Sequence, residues 1–141
     1  MKSKRDVTAE FVERLNRTGL PPSETIVIGS GAMALKGLRA ARDIDVVVTD
    51  ALFQQLAAAG WKRGKQGSSS YALIRGDAEV WMDWSVDGTG HPTFEDLLPN
   101  TQLEAGIRFV TLVYLRQRKL ERGTEKDKQD VELIDDYLSK R

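Results

Sequence analysis

The chain has 141 residues, 40% of them hydrophobic and 30% charged, and its 21 basic and 21 acidic residues leave a formal net charge of +0. That length supports one domain with a core of its own, spanning residues 1–141, and the charge balance argues against a dedicated nucleic-acid grip without excluding a local basic patch. Cysteine is absent, which excludes disulfides and thiolate metal sites; no apolar run approaches the roughly 20 residues of a membrane helix, and the basic N-terminus lacks a signal peptide's apolar stretch, so the expected location is cytoplasmic with no membrane partner.

The first predicted element is an amphipathic helix over "VTAEFVERLNRTGL", with Thr8 as N-cap and Phe11, Val12 and Leu15 on one face. Gly19 and two prolines end it. "TIVIG" reads as a short apolar strand, "GAMALKGLRA" as a helix opening at the glycines, and "DIDVVVT" as a second, β-branched strand. "DALFQQLAAAG" is a helix with Asp50 as cap and Gly60 as stop. "WKRGKQGSSSYALIRG" reads as two strands around the turn "QGSSS". "AEVWMDWSV" is a further strand; Glu79, Trp81, Asp83 and Ser85 share one face and Val80, Met82 and Trp84 the other. After the loop "DGTGHPT" come one or two helical turns in "TFEDLLPN" and an extended "QLEAGIRFV". Thr111 caps a helix running to Arg122, and "TEKDKQDVELIDDYLSKR" is a final helix, Thr124 and Asp127 forming a loose capping box. This order predicts an α/β (α+β) domain: a mixed β-sheet with helices packed mainly on one face and a C-terminal helical pair.

Asp43 and Asp45 break the apolar pattern of the second strand. Residues two apart on a strand face the same side, and two carboxylates held together repel unless a cation lies between them or one is protonated. Oxygen donors without nearby His or Cys point to Mg²⁺ or Mn²⁺, which binds one or two protein carboxylates and completes its shell with water and phosphate. The preceding turn, Gly29-Ser30-Gly31, opens a helix, and glycines let a phosphate approach free backbone N–H groups. Acids beside a phosphate turn are the layout of metal-assisted phosphoryl or nucleotidyl transfer.

"IGSGAMALKGLRAARDIDVVV" resembles the signature of the nucleotidyltransferase superfamily that includes DNA polymerase beta. Gly29, Ser30, Asp43, Ile44, Asp45 and Val46 occupy the places of its pattern. The C-terminal "YLRQRKLERGTEKDKQDVELI" is similar to the tail of small bacterial members, among them the nucleotidyltransferase-like toxins of abortive-infection systems, with Lys119, Lys126, Asp127 and Asp130 matching. The resemblance implies a nucleotidyltransferase fold and transfer of a nucleoside monophosphate from an NTP by a two-metal mechanism. It implies Gly29, Ser30 and Lys119 as nucleotide-binding residues and Asp43, Asp45 and Asp83 as metal-binding and catalytic residues, with Glu79 as the alternative third carboxylate. It further implies RNA, protein or a small molecule as acceptor, and a toxin–antitoxin or phage-defence setting with an antitoxin partner. The competing expectation is a non-catalytic nucleotide-binding or protein-interaction module on the same fold. Tryptophans 81 and 84 are expected in the core or on the sheet face, His91 in a loop, and Arg39 and Arg42 either at a phosphate or simply at the surface.

Overall fold

The computed structural model describes residues 3–85 and 90–140. Seven strands form one mixed sheet in the order β3-β4-β5-β2-β1-β7-β6, with six α-helices among the described residues. The strands are β1 (Thr25–Val27), β2 (Ile44–Val48), β3 (Lys62–Gln66), β4 (Tyr71–Arg75), β5 (Ala78–Trp81), β6 (Thr101–Glu104) and β7 (Ile107–Val110). The helices are α1 (Lys4–Arg17), α2 (Ser30–Leu35), α3 (Asp50–Ala58), α4 (Phe94–Leu97), α5 (Leu112–Arg122) and α6 (Glu125–Ser139). None of them is long and apolar enough to cross a membrane.

The centre of the sheet is built from the most apolar stretches. Residues 25–28, Ile44 and 46–48 are buried, and β2 runs antiparallel to β1 but parallel to β5. In this register Val27, Val46 and Val80 share one face. Helices α1 and α2 cover it: a methyl group added to Gly31 would come within 2.6 Å of both Phe11 and Val27. Glycine is thus what lets the turn after β1 tuck beneath α1, because overpacking of this kind costs about 1–3 kcal/mol. The α3 residue Phe53 meets Tyr71 of β4 edge to face, 5.9 Å between centroids. Helix α4 packs against β1, and α5 against α6 as the expected C-terminal pair.

Four local expectations are corrected. Ser3, not Thr8, caps α1, in a reciprocal box with Asp6; the Thr8 hydroxyl instead donates to the Ala34 carbonyl at 3.0 Å, tying α1 to α2. Thr49, not Asp50, caps α3, accepting from the Leu52 N–H. Helix α2 stops at Leu35, short of the predicted end at Ala40, and Arg39 therefore leaves from irregular chain rather than from a helix face. Strand β5 ends at Trp81, where its pairing with β2 runs out. Beyond it Asp83 makes only an isolated bridge to Thr93, and the Trp84 N–H donates to Pro92, so the chain turns away from the sheet line. The final residue of the predicted strand, Val86, and part of the loop "DGTGHPT" lie outside the described residues.

Candidate functional site

The β1–α2–β2 unit sets out one wall of the site. Gly29 has φ 63° and ψ −143°, a backbone region essentially reserved for glycine. The atom closest to a β-carbon built there is Oδ2 of Asp45, 3.8 Å away. The Ile28 N–H donates to the Asp45 carbonyl at 3.0 Å, so turn and strand are joined through the backbone as well. Asp43 precedes β2 and Asp45 lies within it; both are half-buried.

The second wall comes from β5. Its parallel register sets Glu79 directly beside Asp45 and Trp81 beside Val47. Register partners on neighbouring strands share a face about 4.8 Å apart, so Asp45 and Glu79 are side-by-side acids, an arrangement that a nearby cation stabilises. Asp43, Asp45, Glu79 and Ser30 line a cleft of about 200 Å³ together with Trp81 and five basic residues: Arg39, Arg42, Lys65, Arg122 and Lys126. The basic residues gathered here give the cleft a side that suits an anion, although the whole chain is neutral.

Two of those cations are braced from behind. Arg39 grips Asp130 through two bonds, 2.7 Å from Nε and 2.9 Å from Nη2. Arg122 grips Asp127 in the same way, at 2.6 and 2.7 Å. Bidentate guanidinium–carboxylate pairs fix orientation as well as adding energy. Thr124 donates both its hydroxyl and its backbone N–H to Asp127. Burial pushes both carboxyl groups toward higher pKa, but the hydrogen bonds prevail. Those from Arg122 and Thr124 hold Asp127 well below the usual carboxylate range. Those from Arg39 and Lys119, with the charges that make them, also lower Asp130.

The structure brings Gly29, Ser30, Asp43 and Asp45 together, as the sequence pattern implies, but it parts Asp83 and Lys119 from them. Asp83 is not among the residues lining the cleft; its two carboxylate oxygens accept from Ser69 at 2.8 Å and Ser70 at 2.7 Å. Glu79, the alternative, occupies the third acidic place because it stands within the strand that pairs with β2. Lys119 does not line the cleft either. It is buried, its ammonium 2.9 Å from Asp130 and 3.6 Å from Asp127. Trp81 lines the cleft yet is 1% exposed, which suits a wall and not a stacking platform. The sequence reading missed Lys65 and Arg122 at the cleft. Arg122 carried a signal in the Thr124–Asp127 box that follows it, whereas the strand pattern around Lys65 is polar on both faces.

The donor set suits a hard cation: carboxylate oxygens with a neighbouring hydroxyl. Among the described residues no group of three or more His, Cys, Asp or Glu side chains is arranged to hold a metal ion unaided. Asp43 and Asp45 fit an ion such as Mg²⁺ that takes one or two protein carboxylates and fills its remaining positions with water and phosphate oxygens. No family model matches the chain, and neither does any curated protein or solved structure.

Proposed function

We propose that this chain is a Mg²⁺-dependent nucleotidyltransferase that moves a nucleoside monophosphate from an NTP to a hydroxyl acceptor. The observation that carries this reading is the pairing of Asp45 with Glu79 across β2 and β5, inside a cleft otherwise walled by five cations. Such a site accepts the two things a nucleotide brings: a polyanion for the basic side and a divalent ion for the acidic one. Pockets that enclose whole small molecules hold roughly 300–1,000 Å³; at about 200 Å³ this cleft suits the phosphate end, leaving the base outside.

Each group then has a task. The basic side chains orient the triphosphate, with Ser30 donating at the turn. Asp43 and Asp45 would hold the ion, which when bound neutralises phosphate charge and acidifies a neighbouring hydroxyl. Glu79, as the alternative third carboxylate, accepts the acceptor's proton. The acceptor oxygen bonds to the α-phosphorus, the bond from that phosphorus to the bridging oxygen breaks, and pyrophosphate leaves. The acceptor is RNA, a protein or a small molecule, and a toxin–antitoxin setting belongs to the same proposal through the similarity of the tail.

The test is pyrophosphate release from each of the four NTPs, with and without Mg²⁺ and total RNA. Release is expected to need the metal and to vanish in Asp43→Asn and Asp45→Asn; wild-type rates in both variants would sink the mechanism. The absence, among the described residues, of a three-carboxylate cage favours one second reading: a module that binds nucleotide without turnover. Calorimetric binding of Mg·NTP with no pyrophosphate formed would establish that instead.

A further inference from the structure

Behind the cleft runs a chain of five charges: Arg39, Asp130, Lys119, Asp127 and Arg122. Its outer members line the cleft and its inner three are almost wholly buried, with side-chain exposures of 3%, 7% and 1%. Asp127 and Asp130 lie one helical turn apart on α6 and would repel each other there. The Lys119 ammonium, supplied by α5, sits within reach of both.

We propose that Lys119 is a positioning residue that couples Arg39 to Arg122, so that two guanidinium groups from distant parts of the chain meet a polyphosphate as one unit. This rests on the nucleotide reading of the cleft. A simple clamp between α5 and α6 needs a single Lys–Asp pair. Here each carboxylate is also gripped by two donors of an arginine that lines the cleft. Burying the three inner charges is costly, and geometry this complete is what offsets the desolvation. Without the shared ammonium the two aspartates separate and carry their arginines with them.

The test uses the whole chain, the ¹⁵N-edited Nε–Hε signals of Arg39 and Arg122, and calorimetry with inorganic tripolyphosphate. In Lys119→Met both arginine signals are expected to shift and broaden together, and tripolyphosphate affinity to fall about tenfold, the scale of coupling between contacting residues. Signals that stay unchanged in Lys119→Met overturn the proposal. Asp130→Asn is the second variant, which keeps the Lys119–Asp127 pair. Coupling requires the Arg122 signal to move there although Asp130 does not touch Arg122; movement of Arg39 alone reduces Lys119 to a helix clamp and overturns the proposal. If the wild-type protein binds neither tripolyphosphate nor Mg·NTP, the reading of the cleft fails, while the arginine signals still judge the coupling.

Discussion

Asp43 and Asp45 stand at the start of β2 and line an open cleft, whereas Asp127 and Asp130, a turn apart on α6, are buried among three basic side chains. The chemistry is the same, two carboxylates held close, but the surroundings differ. On α6 the protein supplies it in full, from α5 and from the segment after α2. At β2 the acids face a cavity, with another acid, Glu79, brought alongside by the sheet. The difference lies in what surrounds each pair: on α6 an arginine grips both oxygens of each carboxylate, whereas at β2 the neighbouring strand sets Glu79, an acid of the same sign, beside Asp45.

The largest effect expected from that contrast is on turnover. Glu79→Gln should lower pyrophosphate release about 10²–10³-fold, the weight of a general base. Asp83→Asn should leave the rate unchanged and cost about 1 kcal/mol of stability for its serine bonds. Steady-state rates and urea unfolding of the two variants decide which acid serves the cleft; equal loss of turnover in Asp83→Asn would restore that residue to the site.

A stability effect of similar energy should appear on the buried side. Asp127→Asn is expected to cost about 3 kcal/mol in urea unfolding, the lower end for removing one partner of a buried pair. Arg122 keeps 36% side-chain exposure and can turn to water, which limits the loss. An equal loss in Asp43→Asn would erase the distinction between the two pairs.

The smallest effect is in pH. Asp127 and Asp130 have folded-state pKa values below their unfolded ones. Their stabilisation is therefore fully present above the ordinary aspartate value of about 3.9 and fades as pH falls below it. Urea midpoints measured from pH 5 downward should decline in the wild type and decline less steeply in Asp127→Asn. Parallel curves would remove the buried aspartates as the cause.

The β1–α2–β2 half of the site was legible because everything in it is local. A short strand, a glycine turn and the alternation around Asp43 and Asp45 lie within one continuous stretch. The third acid was not so simple, since alternation puts Glu79 and Asp83 on one face only while the strand continues, and β5 stops between them at Trp81. What ends it is tertiary: β2 offers no partner beyond Val47, and the chain is drawn off toward Pro92 and Thr93. Lys119 was misread for a similar reason. A lysine near the end of a helix looks solvated or phosphate-facing until α6 folds back over it, and the link from Asp130 to Arg39 spans 91 residues that no local pattern records.

The brace on the cleft also has an order in time. Ser30, Asp43, Asp45 and Glu79 are all in place on the chain by the end of β5, but the aspartates that grip Arg39 and Arg122 belong to α6, which is made later. A ribosome thus completes the acidic wall of this cleft well before the groups that steady its basic side exist.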